Sequence, residues 1–474
     1  MSQAARERTS SSPSARAKRA LRHCYAALPP PVRRLARAAF AQTPFPWNRG
    51  LTFARHYRHF SRSESLSRDE LDALQSAELR RIVRHAATTV PAYRERFDKA
   101  GASWQDIRNR DDLAGLPLLD KRDLQDAPAA FVSSAVPPNQ IVWRTTSGST
   151  GTPLRVGVTR STLAAEHALM VLGWQWGGYR PGDRVAVCVG KLTGQLQGPS
   201  FAPYTRTRTF LEVSPHHLDQ RGCDAYLDML QSFRPRFLRT YPSILLLLGN
   251  RLRERGMRID GLAGLWTQSE QFDASQRDKI ESAWGARIYD LFGMQEKCIY
   301  MSECEFGNLH VRSDFGVVEL VPSNDSNLAQ VVATGFFNPA MPLVRYRTRD
   351  LAEPAESPCP CGRPFPTVKR IVGRVEDSLY ATDGREIFEI DSAIADFPRI
   401  RSCQIVQEEL GRVRVLLVPT HDFGDADAGA LCTSLRDALG DDMRIDIERL
   451  EAIPRTATGK QRFIVSRLDA QRAP

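Results

Sequence analysis

Nine consecutive residues, Thr145-Thr146-Ser147-Gly148-Ser149-Thr150-Gly151-Thr152-Pro153, carry six hydroxyl side chains and two glycines. A loop of this kind can turn backbone N–H groups and hydroxyls inward to form a nest for anionic oxygens. Glycine supplies the backbone freedom and close approach that such a nest needs. The competing reading is a polar hairpin loop, because the same residues are common in turns. The run is not a Walker A loop: no Gly-Lys-Ser/Thr ends it, and an extended segment follows instead of a helix. A second group offers metal-ligand chemistry. Cys304 and His310 lie six apart, and Cys359 and Cys361 are separated only by Pro360. Three thiolates and an imidazole suit tetrahedral Zn²⁺. The paired cysteines are closer than in most zinc fingers, so two buried free cysteines and a surface pair remain the alternative. Cys298 is a weaker candidate ligand.

Elements must position these groups. Gln140–Arg144 and Leu154–Thr159 read as extended segments flanking the hydroxyl loop. Residues 66–100 read as a helical segment, with Leu71, Leu74, Leu79, Ile82, Val83 and Ala86 at helical spacing. From about 140 to 350, strand and helix patterns alternate. Arg184–Gly190, Phe237–Pro242 and Leu262–Gln268 read as strands. Asp224–Phe233 and Asp273–Trp284 read as helices, and Ser243 is placed to cap a further one. Alternation of this kind predicts a layered α/β domain. Ligands gather at the carboxyl ends of strands in such sheets. The loops with Tyr241, Gln268–Glu270 and Phe292–Glu296 should therefore converge. After Asp377 the pattern changes to strands at Arg401–Gln407 and Arg412–Pro419, a helix at Ala428–Ala438 and a final strand at Arg444–Ile447. This predicts a small α+β domain. The expected organisation is an N-terminal extension over 1–62, a large domain over 63–376 and a small one over 377–474.

Four further runs follow the hydroxyl loop in order: Tyr289–Glu296, Val344–Leu351, Val372–Asp377 and Pro454–Lys460. With that loop, the series resembles the adenylate-forming enzymes, which include acyl-CoA synthetases, carrier-protein adenylation domains and luciferases. Cys359-Pro360-Cys361-Gly362-Arg363, Ala92–Phe97 and Leu116–Lys121 make it similar to the phenylacetate-CoA ligase branch and its relatives associated with capsular polysaccharide genes. The resemblance covers roughly residues 65 to 470. It implies a large α/β adenylation domain carrying a small mobile α+β lid.

It also implies a chemistry. A carboxylic acid reacts with ATP to give an acyl-AMP, and a thiol, that of coenzyme A, then takes the acyl group. The first step joins a weak nucleophile to a phosphate shielded by negative charge, so positioning and charge neutralisation must lower the barrier. Thr145, Thr146, Ser147, Gly148, Ser149, Thr150 and Gly151 would hold the phosphates. Glu296 would ligate Mg²⁺, a hard cation that prefers carboxylate oxygen. Lys460 would bring a point charge to the forming bond. Asp350 would accept hydrogen bonds from both ribose hydroxyls, since a carboxylate has two acceptor oxygens. An ion pair with Arg347 or Arg349 is its ordinary alternative. Glu270, Phe292, Gly293 and Arg374 complete the expected ATP/AMP site, and Asp377 is the expected hinge of the lid. Relatives in this branch with a structural zinc support Cys304, His310, Cys359 and Cys361 as a closed, non-catalytic site. Three departures stand out. Arg349 occupies a glycine position in the ribose run, Thr152 replaces a lysine, and Gln268-Ser269 replaces Gly-Ala before Glu270.

Bulk properties bound the rest. The net charge of +10 is local: residues 1–62 hold thirteen Lys or Arg against Glu7 alone, and the remainder is slightly acidic. This basic arm is read as a solvated extension, with contact to a membrane surface, an acidic partner or a transit role as competing readings. It has little interleaved aromatic character, which argues against nucleic-acid binding. Nine cysteines without a framework spacing fit reduced thiols in the cytoplasm. No run is long enough to span a membrane. The expected activity is an AMP-forming acid–CoA ligase. Transfer to an amine or a carrier-protein thiol, or a degenerate binding protein, are the alternatives. Trp174, Trp176 and Tyr241 are candidate walls for the acid, whose identity and the oligomeric state are not legible.

Overall fold

The computed structural model describes residues 29, 31–32, 49–146, 154–190, 204–216, 218–322, 327–355, 358–374, 378–387, 390, 392–395, 397, 399–456 and 460–468. Most of the basic arm, Ser147–Pro153, the expected hinge Asp377 and Gly459 lie outside these residues.

A sheet of twelve strands organises the large domain. From edge to edge it runs Gly316–Pro322, Ala329–Gly335, Tyr346–Pro354, Thr367–Arg374, Leu309–Val311, Tyr300–Glu303, Ile288–Gly293, Gly264–Gln268, Phe237–Thr240, Val185–Cys188, Phe210–Val213 and Tyr204–Arg206. Strands from Ile288–Gly293 to Phe210–Val213 are parallel to one another, and the remaining pairings are antiparallel. Parallel strands must be buried on both faces, and they are. The helices Gln220–Phe233, Pro242–Glu254 and Ala274–Trp284 cover one face through Leu227, Leu245, Leu248 and Ile280. Arg160–Trp176 and Leu51–Ser63 cover the other, with Phe53, Phe60 and Leu169 in the core. By packing, the last turns of the expected extension thus join the large domain. Gly173 lets the helix sit close, since a Cβ there would lie 2.6 Å from Ser302 Oγ.

Several elements differ from the sequence reading for local reasons. The single helix expected over 66–100 is two, Arg68–Thr89 and Pro91–Lys99. Pro91 forces Val90 into an extended conformation (φ −115°, ψ 115°), which ends the first helix. Ser67 and Glu70 form a capping box at its start. Ile141–Thr145 and Arg155–Thr159 pair as an antiparallel hairpin, closed by Thr146 N–H to Leu154 O at 2.9 Å. Thr145 and Thr146 of the hydroxyl run thus belong to this hairpin.

The early runs brace the strand that carries Asp350. The buried Tyr93 hydroxyl donates to Pro342 O at 3.0 Å and accepts from Val344 N–H at 2.9 Å. Leu119 exchanges backbone hydrogen bonds with Arg345 and Arg347.

The small domain is a four-stranded sheet in the order Arg444–Arg449, Arg412–Pro419, Ile400–Glu409 and Ile464–Ser466. The helix Asp425–Leu439 packs Leu431 and Leu435 on Ile405, Val413 and Val415. Arg444–Ile447 is therefore not the last strand. Ile464–Ser466 follows it and pairs parallel with Ile400–Glu409. Three residues are too few for a periodic signal, yet this strand anchors the segment that bears Lys460.

Candidate active site

A cleft of roughly 1380 Å³ lies where the carboxyl ends of the central strands meet the small domain. Thr146, Glu270, Phe292, Gly293, Glu296, Asp350, Arg374 and Lys460 all line it. Six separate regions of the sequence therefore converge. Thr145 ends its hairpin strand and is paired with Arg155.

Thr456, Lys460 and Gln461 reach the cleft from the small domain. Arg455 and Gln461 form a short antiparallel bridge. Thr456 closes the turn: its N–H donates to Lys460 O at 2.8 Å, and its hydroxyl accepts from Lys460 N–H at 3.2 Å. Burial lowers the pKa of Lys460 and the Arg374 charge lowers it further, while Glu270, Glu296 and Asp350 pull it back up. One ammonium thus sits within the field of three carboxylates.

Asp350 is buried on strand Tyr346–Pro354. Its cross-strand partner is Arg374, whose Nε lies 3.3 Å from Asp350 Oδ1. The ion pair with Arg347 or Arg349, the alternative reading of Asp350, is not the one observed; Arg347 instead faces Asp120 at 3.4 Å on the surface. Thr348 holds the loop by accepting from Asp350 N–H and donating to Val331 O. Arg349 has φ +65°, a left-handed conformation that side chains disfavour. This is the physical meaning of a glycine at that position. Replacing Arg349 with glycine removes about 1–2 kcal/mol of backbone strain against an unfolded-state entropy cost of about 0.5–1 kcal/mol, whereas Arg349→Ala removes the same side-chain contacts and keeps the strain. R349G is therefore expected to be more stable than R349A by roughly 0.5–1 kcal/mol in urea unfolding; equal or lower stability contradicts this account.

Glu270 lines the cleft, and each of its oxygens accepts from a backbone donor: Gln461 N–H at 2.7 Å and Ser243 N–H at 3.0 Å. Ser243 does not cap its helix. Pro242 occupies the first turn, Tyr241 precedes it, and no cap side chain from this segment bonds the helix. Glu270 supplies that acceptor from another loop. Ser269 takes φ +68° and Gln268 accepts from Arg239 Nε at 2.9 Å, so both departures serve the body. The candidate acid walls also separate. Trp174 is core, stacked 4.2 Å from Trp266. Trp176 sits edge-on to His310 at 5.6 Å. Tyr241 accepts from Gly190 N–H at 3.1 Å.

Sequence reasoning missed Asp290 and Glu303, which line the same cleft. Burial pushes Asp290 up to about 6, against a 2.6 Å hydrogen bond from Thr267. Glu303 pairs with Arg277 at 2.8 Å and accepts from Asp290 N–H at 2.9 Å. Asp290 lies inside the Tyr289–Glu296 run, which was a usable signal; Glu303 and Arg277 had none. Lys297, next to Glu296, is buried and pairs with Glu166 at 2.6 Å.

Beside the cleft, one atom from each of Cys304, His310, Cys359 and Cys361 lies within 4.8 Å of every other. Cys304 and Cys359 sulfurs are 3.5 Å apart, and Cys361 Sγ is 3.3 Å from His310 Nε2. His310 Nδ1 lies 3.1 Å from Phe365 O, which holds Nδ1 as the donor and leaves the Nε2 lone pair facing the thiols. Burial lowers His310 to about 4, so the ring is neutral near pH 7. Phe306 N–H and Asn308 Nδ2 donate to the sulfurs of Cys304 and Cys359 at 3.4 Å. Cys298 is buried elsewhere and is not in the group.

Fold and cleft together define a two-domain α/β architecture with a polar cleft where the domains meet. A family model described as the CapK C-terminal domain matches residues 379–467. The chain is 30% identical over 335 residues to the phenylacetate-coenzyme A ligase of Escherichia coli (strain K12), spanning 67% of this chain and 74% of that one. A 2-hydroxyisobutyryl-CoA ligase in the postadenylation state, in complex with R3-HIB-AMP, superposes with a TM-score of 0.66 at 24% identity, covering 87% of this chain and 94% of that one. The same ligase in the thioesterification state gives 0.57 at 23% identity, with the same coverage. The chain belongs to the phenylacetate-coenzyme A ligase family.

Proposed function

We propose that this protein is an AMP-forming acid–CoA ligase. The observation that carries the reading is the delivery of Lys460, by the small domain, into a cleft lined by Glu296, Asp350 and Thr146. Asp350 would grip the ribose. Thr145, Thr146 and the loop through Gly151 would orient the phosphates, and Phe292 and Gly293 would border the adenosine. The Lys460 ammonium would stabilise the charge that builds as the acid oxygen attacks the α-phosphorus and pyrophosphate departs. Glu296 fits a hard-cation ligand, being a carboxylate on the wall of this cleft; Mg²⁺ bound there would neutralise phosphate charge.

In the second half-reaction a thiol attacks the acyl carbon and AMP leaves. Turning the small domain about Asp377 would withdraw Lys460 and open the path for coenzyme A. The greater overlap with the postadenylation state than with the thioesterification state supports an adenylating orientation here. The functional units would be a large domain that begins with helix Leu51–Ser63 and runs to about residue 376, and a small domain over 377–474, with the residues before that helix as an accessory arm. No described helix is long and apolar enough to cross a membrane, and the reduced thiols fit a cytoplasmic enzyme.

Acid-dependent ATP–pyrophosphate exchange over a panel of aryl and small hydroxy acids tests the first step, and thioester formation on adding coenzyme A tests the second. Acyl-AMP consumed only by an amine or a carrier protein would reject the coenzyme A step. Absence of exchange with every acid would favour a binding protein.

Cys304, His310, Cys359 and Cys361 would hold a structural Zn²⁺. The donor set, the oriented imidazole and the N–H···S bonds support it, and four protein ligands leave no open catalytic position. Elemental analysis should find one zinc per chain. At free zinc a hundredfold above Kd, the bound ion adds about 2.7 kcal/mol. A strong chelator should lower Tm accordingly, and Cys359→Ser should abolish that response. A chain that binds no zinc, or whose Tm ignores the chelator, rejects the site.

A further inference from the structure

We propose that Glu270 is a positioning residue that latches the small domain with Lys460 facing the cleft. The inference rests on the role of Lys460 proposed above. One carboxylate joins two bodies. Its Oε1 accepts from the N–H of Gln461, the residue after Lys460, and its Oε2 accepts from Ser243 N–H in the first turn of helix Pro242–Glu254. That turn has N–H groups to satisfy and a positive dipole end, both of which favour an ionised carboxylate.

The small-domain side is rigidly tied. Gln461 Nε2 donates to Cys403 O at 3.0 Å, and its Oε1 accepts from Ser402 Oγ at 3.0 Å. Three residues on, Ile464–Ser466 joins the sheet. A hold on the Gln461 amide is therefore a hold on the whole domain. Arg455, at the other side of the same turn, donates to Ser243 Oγ at 3.2 Å, which doubles the tie to one helix end. The left-handed Ser269 redirects the chain just before Glu270. Elsewhere across the interface, Arg401 and Glu254 pair at 2.9 Å but are exposed, and exposed pairs contribute little. When the domain turns away, Glu270 gives up Gln461 N–H and keeps Ser243 N–H. The latch can thus open without stranding its own charge.

The test compares Glu270→Ala and Glu270→Gln in the full chain. Three readouts are needed: acid-dependent ATP–pyrophosphate exchange, transfer to coenzyme A from supplied acyl-AMP, and hydrogen exchange of the peptide containing Gln461. Loss of a charged hydrogen bond predicts roughly a 10- to 100-fold fall in pyrophosphate exchange for E270A, a much smaller effect on transfer, and faster hydrogen exchange at Gln461. E270Q should fall between, because its amide oxygen still accepts one bond. It also serves as the reporter if E270A does not fold. Equal losses in both half-reactions overturn the latch. So does weaker binding of a non-hydrolysable ATP analogue with unchanged hydrogen exchange, which returns Glu270 to the nucleotide site. Wild-type protein without pyrophosphate exchange would reject the ligase reading instead, and the Gln461 amide would still report on the latch.

Discussion

Replacing Lys460 with alanine is expected to lower acyl-AMP formation by roughly a hundred- to a thousandfold, the usual cost of removing one charge-stabilising group aimed at a transition state. Lys460 is the ammonium that the small domain places among Glu270, Glu296 and Asp350. Transfer from supplied acyl-AMP to coenzyme A should be affected far less, because in the proposed mechanism the lysine acts only in the adenylating orientation. The pH profile gives an independent check. Burial lowers the Lys460 pKa, with Arg374 adding to the effect. The protonated form is the active one, so the rate should fall as pH rises through this depressed value, below the usual lysine range. Lys460→Arg keeps its charge to higher pH, and the alkaline fall should move out with it. A profile that K460R leaves unmoved, or an alanine variant with normal pyrophosphate exchange, would remove Lys460 from the reaction.

The second large effect concerns Asp350. Its replacement by alanine should raise the KM for ATP by roughly 100-fold, the scale set by losing one to two hydrogen bonds to a charged acceptor. The carboxylate is buried, cross-strand from Arg374, and held by the Thr348 turn, so it is preorganised before ATP arrives. Deoxy analogues separate this from a general loss of packing. The wild-type enzyme should discriminate against 2′-deoxy- and 3′-deoxy-ATP, while D350A should treat them much like ATP. Equal discrimination by both proteins would mean that Asp350 serves the Arg374 pair and not the ribose. A unfolding curve for D350A shows whether Arg374, left beside an empty position, costs stability as well.

Much of the site was legible because its chemistry is compressed into short runs. Tyr289–Glu296 contains Phe292, Gly293, Glu296 and the unremarked Asp290. Val344–Leu351 contains Asp350, and Pro454–Lys460 contains the lysine. The α/β class was legible from alternating periodicity, and convergence of the post-strand loops followed from parallel pairing. The misreadings are of two kinds. Local chemistry outweighed periodicity at Val90-Pro91, where proline split an apparent helix. Strand Ile464–Ser466 was too short to carry a pattern.

What the sequence determined by itself was a set of groups and their order: a hydroxyl loop, the acids Glu296 and Asp350, a distant lysine, and three cysteines with a histidine. Partnership was decided only by the tertiary structure. Asp350 meets Arg374 and not its neighbours Arg347 or Arg349, because adjacent antiparallel strands oppose them. Trp176 turns to the Cys–His cluster and not to the cleft, since its helix ends over His310. Glu270 binds backbone N–H groups contributed by Ser243 and Gln461, 27 and 191 residues away. A backbone amide has the same chemistry at every non-proline residue, so no composition or spacing marks which one a carboxylate will find. Only the packing of helix Pro242–Glu254 against the sheet, and of the small domain against both, brings those two donors to one acid.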